Sequence, residues 1–255
     1  MSGIVENPWT RLRSFTSARL ALGRAGDSLP TSEVLELALA HAQARDAVHN
    51  ALDVDALKGK LSAAGFEFIT VESAARDRAE YLRRPDIGRR LSDRSRSVVR
   101  ACHSRQTSKQ SAAFIIADGL SAIAPARHAV PVLKEIISRL EGQRIAPVVI
   151  ATEARVALSD EIGELLDAEM TVILIGERPG LSSPDSLGIY LTYKPRVGCT
   201  DADRNCISNV RPEGLSYEAA AHKLHHLMLA ARRIGQSGIA LKDESDSSRL
   251  DVRSP

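Results

Sequence analysis

Three short apolar runs rich in β-branched residues, AFIIA at 113–117, PVVIA at 147–151 and TVILI at 171–175, punctuate the middle of this 255-residue chain. No other feature narrows the fold as far. Runs of this length, stopped by glycine or polar turns and lacking a polar face, read as strands buried on both sides, as in parallel sheets. Between them lie helical patterns, at about 126–140, ended by Gly142, and from Ser159 through Ile162 and Leu165 to Ala168. Strand, helix, strand, helix at this spacing predicts an α/β fold, with right-handed crossovers laying helices over a parallel sheet. A fourth run at 188–193 and a long helix over 217–234 complete this half.

The first hundred residues follow another pattern. Residues 8–24 have helical periodicity through Leu12, Phe15, Leu20 and Ala21, with Pro8 near the start. A second helix is expected over 31–52, capped by Thr31 or Ser32, with Leu35, Leu39, Ala42 and Val48 as its buried stripe. A third, 55–64, stops at Gly65, which suits a left-handed cap. FEFITV at 66–71 alternates and predicts an edge strand. The expected organisation is a mostly helical N-terminal domain at 1–108, a linker at 104–111 (SRQTSKQS), a parallel-sheet domain at 109–240 and a polar tail at 241–255.

Composition excludes several classes. No apolar run approaches the ~20 residues that span a bilayer, and MSGIVENPWTRLRSF lacks the apolar core of a secretory signal, so a cytoplasmic protein is expected. Cys102, Cys199 and Cys206 are an odd number without CxxC spacing, which fits reduced thiols better than a disulfide framework or a zinc site. Net charge is +2, but residues 76–105 hold ten Arg against Asp77, Glu80, Asp86 and Asp93. This segment reads either as a solvated helical face or as a surface for an acidic partner, a second subunit or phosphate. No helix-turn-helix, RNP or zinc-finger pattern accompanies it, which argues against nucleic acid.

In an open parallel sheet, ligands bind outside the carboxyl ends of the strands. Three segments are expected to meet there: 118–121 (DGLS), 151–156 (ATEARV) and 176–180 (GERPG). Glycines in the first and third permit tight turns and close approach, and the clustering predicts a sizeable ligand. GERPG is not GxGxxG, so a dinucleotide is weakly supported, and no GxSxG or P-loop occurs. His222 and His225 or His226 lie one helical turn apart but without an HExxH pattern, and a packing role is the better reading. Cys206, expected in a polar loop, has no adjacent base that would make it a nucleophile. His128, after Pro125, reads as structural.

Longer blocks are less generic. GERPGLSSPDSLGIYLTYKPR, TDADRNCISNVRPEGLSYEAA, NPWTRLRSFTSARLALGRAG, YLRRPDIGRRL and ADGLSA together closely resemble the small (light) subunit family of ethanolamine ammonia-lyase, from about Asn7 to Gly238. The resemblance implies a Rossmann-like domain that binds adenosylcobalamin. It also implies a carbon–nitrogen lyase that converts ethanolamine to acetaldehyde and ammonia by radical chemistry. In this family the large subunit, a TIM barrel, carries substrate and most catalytic residues, so no catalytic residue is expected on this chain. Cobalamin is expected between the two chains, a division in which the cofactor carries the chemistry and protein positions it.

Carried over by motif, the implied cofactor contacts are Val156 in EARV, Glu177 in GERPG and Cys206 in RNCIS. Val156 would supply an apolar surface, Glu177 would accept from corrin amides, and Cys206 would pack closely. The chain lacks DxHxxG, so the cofactor is expected to keep its own dimethylbenzimidazole on cobalt. The family's N-terminal extension is linked to encapsulation, and here the family blocks start almost at once. A bacterial microcompartment therefore stands as the alternative to the open cytoplasm. The rival reading from another class is a stand-alone α/β module for a corrinoid or nucleotide, without lyase activity.

Overall fold

A computed structural model describes residues 4–105, 111–140 and 142–245. The elements in chain order are α1 (Thr31–His49), α2 (Val54–Ala63), β1 (Phe68–Glu72), α3 (Arg78–Arg83), α4 (Asp93–His103) and β2 (Ala113–Ala117). They continue as α5 (Val130–Ile137), β3 (Val148–Thr152), α6 (Leu158–Leu165), β4 (Met170–Gly176), β5 (Leu187–Tyr193), β6 (Arg204–Val210) and α7 (Tyr217–Ile234). A π-helical turn, Pro125–Ala129, leads into α5.

One six-stranded sheet runs through the molecule in the order β1-β3-β2-β4-β5-β6. The first four are parallel, as the apolar runs predict, but β5 and β6 pair antiparallel, so the sheet is mixed. The cause is length. Only ten residues, 177–186, join β4 to β5 without a helix, whereas a parallel return needs a crossover of about a dozen or more. β1 is an edge strand, as FEFITV predicts, and it lies in this same sheet. The segment 1–108 is therefore helical only in part and contributes to the sheet core. The expected boundary at 108/109, most of the linker and most of the tail fall outside the described residues.

Side chains alternate across the strands and feed two cores. On one face Phe114, Ile116, Ile150, Val172, Leu174 and Leu191 pack under α2, α5 and α7. On the other, Val71, Ile115, Val149 and Ile173 pack under α4 and α6. The expected final helix has the bounds of α7, with Ser216 accepting from the Ala219 amide as its N-cap, an arrangement that contributes about 1 kcal/mol. Gly65 follows α2 at φ +77°, as its predicted cap role requires.

Two N-terminal expectations fail. The helix at 8–24 is a 3-10 turn, Thr10–Ser14, and the chain then runs on until Arg24 pairs with Val5. Leu12 and Phe15 are exposed, so that stretch lacks the tertiary packing from which short helices draw most of their stability. In α1 the expected stripe faces outward: Leu35, Leu39 and Ala42 are exposed and Val48 is half-buried, while Ala40 and Ala47 are buried. The N-cap is Pro30, with no side-chain hydrogen bond, rather than Thr31 or Ser32. A helix rich in alanine offers two apolar faces, and the small one packs closer.

Candidate functional site

The helix following β2 covers one face of the sheet and the helix following β3 covers the other, so their loops part at the carboxyl ends and leave a crevice. Asp118, at the end of β2, ties the crevice together. Its Oδ1 accepts from the Gly119 and Ala154 amides at 2.9 and 3.1 Å, and its Oδ2 from the Glu153 amide at 2.9 Å and Arg78 Nη1 at 3.0 Å. Burial pushes this carboxyl's pKa up, against the pull of Arg78 and the three amides, and all four contacts call for the ionised form. Arg78 also reaches Glu153 Oε2 at 3.3 Å.

The three predicted segments do converge. They frame a cleft of about 420 Å³ lined by Gly119 and Leu120 after β2, Arg155 and Val156 after β3, and Gly176, Glu177 and Arg178 after β4. Tyr81 of α3, Tyr190 of β5 and Ser208 of β6 complete the wall. The glycines serve the protein itself. A Cβ on Gly176 would lie 2.0 Å from the Ser121 carbonyl oxygen, and one on Gly119 would lie 2.2 Å from that of Gly176. They permit two loops to press together, the close backbone approach that the sequence predicts at these glycines.

Val156 and Glu177 therefore share one cleft. Glu177 is also a tie between β4 and β6: its carboxylate accepts from the hydroxyls of Ser186 and Ser208 and, at 3.2 Å, from the Asn209 amide. The loop behind it is pinned as well. Ser121 Oγ donates to the Pro184 carbonyl at 2.7 Å, and Arg127 Nη1 to Asp185 Oδ2 at 2.9 Å. Buried His128 bridges Asp185 and the Tyr217 hydroxyl.

Cys206 is not in a loop. It lies on β6, opposite Tyr190 in the β5–β6 register, and is exposed as a residue. The loop expectation fails because β6 is an edge strand with Arg204, Ile207 and Val210 buried and polar residues between them, a pattern that resembles a turn. Cys206 and Ser208 share the face away from α7, beside the cleft. Burial of the thiol group raises its pKa, which the hydrogen bond with Tyr190 only partly offsets. A protonated thiol can pack against a ligand but is a poor nucleophile.

Sequence reasoning did not single out Tyr81, Asp118 or Arg155. Tyr81 is fully buried, donates to the Ala154 carbonyl at 3.0 Å, and has the guanidiniums of Arg155 and Arg78 over its ring at 4.4 and 4.9 Å. All three sit within blocks already marked, Tyr81 as the first residue of YLRRPDIGRRL, far along the chain from the other two. Among the described residues no group of three His, Cys, Asp or Glu is placed to hold a metal, and no helix is long and apolar enough to cross a membrane.

Comparison with known proteins identifies the family. The ethanolamine ammonia-lyase light chain family matches residues 6–242. An ethanolamine ammonia-lyase small subunit from Azotobacter vinelandii is 56% identical over 252 residues, covering 98% of this chain and 93% of the relative. Small subunits from Pseudomonas putida and Xanthomonas campestris are 54% and 55% identical, each covering 96% of this chain and 91% of theirs. A match across nearly all of both sequences takes in every wall of the cleft, and the chain belongs to the ethanolamine ammonia-lyase light chain family, as a subunit of a lyase of that type.

Proposed function

We propose that this chain holds adenosylcobalamin against the large subunit of an ethanolamine ammonia-lyase, which converts ethanolamine to acetaldehyde and ammonia. The observation that carries the proposal is the cleft: it brings Val156 and Glu177 together, and its Ser208 wall lies on the same strand face as the exposed Cys206. These residues fit such a group. A cleft of about 420 Å³ is at the low end for small-molecule sites, roughly 300–1,000 Å³, and admits one edge or the tail of a corrinoid. The exposed Cys206 and Ser208 of β6, beside the cleft, can support part of the rest.

When bound, the cofactor supplies the radical that starts hydrogen abstraction from substrate. The chain's own residues position it. Val156 offers an apolar wall. Glu177 spends three of about four carboxylate acceptor sites on Ser186, Ser208 and Asn209, leaving one for an amide N–H of the corrin rim. Cys206 contacts the ligand as a neutral thiol. In the segment 76–105, Arg78 and Arg96 are spent on internal carboxylates, while Arg83, Arg89, Arg90, Arg94 and Arg100 are exposed and are our candidates for contact with the large subunit.

The test is co-expression with the cognate large chain. The complex should retain adenosylcobalamin through gel filtration and release aldehyde from ethanolamine, and this chain alone should do neither. Deamination by the isolated chain, or a complex that retains no corrinoid, refutes the proposal. Tight corrinoid binding by the isolated chain, unaffected by its partner, would favour a stand-alone module.

A further inference from the structure

The cleft contains guanidinium groups without carboxylates. The Arg155 guanidinium lies over the Tyr81 ring, 4.4 Å from its centroid, and its Nε is buried with no acceptor among the described residues. Among the described residues the Arg155 side chain makes one hydrogen bond, a long one of 3.5 Å from Nη2 to the Tyr81 carbonyl. Arg178 reaches the same cleft from the opposite loop, and neither forms a salt bridge among the described residues. Arg78, over the same tyrosine ring, differs in being committed to Asp118 and Glu153. Glu177 is the one acid lining the cleft, and neutral donors occupy most of its acceptor sites. Two cations against one carboxylate leave a positive surplus and a set of unused N–H groups.

Stacking on an aromatic ring holds the guanidinium plane in orientation, and a planar fork matches the paired oxygens of a phosphate. Resting on the corrinoid reading above, we propose that Arg155, assisted by Arg178, forms an anion subsite that takes the phosphodiester of the corrinoid's nucleotide tail. The tail then enters the cleft while the macrocycle lies beside it, over the exposed Cys206 and Ser208 of β6. The same phosphate chemistry would also suit a free nucleotide, so the experiment must separate the two sources.

The two-chain complex is titrated by absorbance with cyanocobalamin, cobinamide phosphate and cobinamide, which differ in the tail. The wild-type complex should favour cobinamide phosphate over cobinamide. Arg155→Gln should weaken cyanocobalamin and cobinamide phosphate by about tenfold to a hundredfold while leaving cobinamide within about twofold, as expected for losing one charge-assisted contact. Arg155→Lys should recover part of the loss, since it keeps the charge but not the fork. Arg178→Gln, at an exposed position where folding is not at stake, should show the same selectivity at smaller amplitude. Equal weakening of all three corrinoids, or of none, overturns the subsite and leaves the corrinoid reading standing. If the wild-type complex binds no corrinoid, that reading fails. Adenosine monophosphate is then the probe: binding that depends on Arg155 keeps the phosphate subsite for a nucleotide, and no binding removes it.

Discussion

The sheet has two unlike halves. In the parallel half, every residue of β2 and β4 is buried, and helices cover both faces. In the antiparallel half, α7 covers one face of β5 and β6, while on the other α6 covers Arg204 at one end, Tyr190 is half-buried, and Cys206 and Ser208 are exposed. The inner strands β2 and β4 can be rigid because each is hydrogen-bonded to a strand on both sides and every one of their residues is buried. The second half offers a surface. The cleft lies on the seam, where Asp118 fixes one wall and Glu177 the other, so each half contributes what the other lacks. A binding site at this position needs the covered half for its shape and the bare half for its reach.

The comparison can be broken by mutation. Ile150→Ala, in the covered half, should cost about 2–5 kcal/mol by urea denaturation, whereas Cys206→Ala on the bare face should stay within about 0.5 kcal/mol and weaken corrinoid binding instead. Equal losses of stability would mean that the halves are not distinct.

A second test concerns Asp160 of α6, whose Oδ2 meets Arg204 Nη2 of β6 at 2.6 Å, both side chains buried. Burial pushes the Asp160 carboxyl up to about 7 despite Arg204. A folded-state pKa above the unfolded value means that the native chain binds more protons between about pH 4 and 7, so this group's contribution to stability is lost as pH rises through that window, by at most ~1.4 kcal/mol per pH unit. Asp160→Asn should flatten that slope while keeping an acceptor for Arg204. An unchanged slope would show that the ion pair keeps Asp160 ionised.

The smallest effect sharpens the account of the seam. Glu177→Gln keeps one acceptor oxygen and loses the charge, so it should cost about 1 kcal/mol. It should also speed hydrogen exchange at the Asn209 amide and weaken corrinoid binding in the complex. Unaltered corrinoid affinity would leave Glu177 a purely structural tie.

The two halves also differ in how far they can be read from the sequence. AFIIA, PVVIA and TVILI coincide with strands to within two residues because burial on both faces demands an unbroken apolar run, a local and legible constraint. α7 is legible for the same kind of reason: a serine cap, a 3.6-residue stripe and a terminal glycine all lie within the segment. β6 is not, because a strand wet on one side alternates polar residues as a loop does. The outward stripe of α1 is illegible too, since its sequence holds two apolar faces and does not say which one meets a neighbour.

The site divides in the same way. The sequence by itself determined that three strand ends carry polar loops, two of them with glycine, and its motifs marked Val156, Glu177 and Cys206. Only the tertiary structure decided that the glycines join loop to loop, that Glu177 is bound to β6, that Cys206 stands on an open face, and that Tyr81 carries Arg155. Whether a side chain will be wet or dry is recorded in its near neighbours. Which segment it meets, 31 residues away for Glu177 and Ser208 and 73 for Tyr81 and Ala154, follows from the order and direction of the strands, which belong to the sheet as a whole.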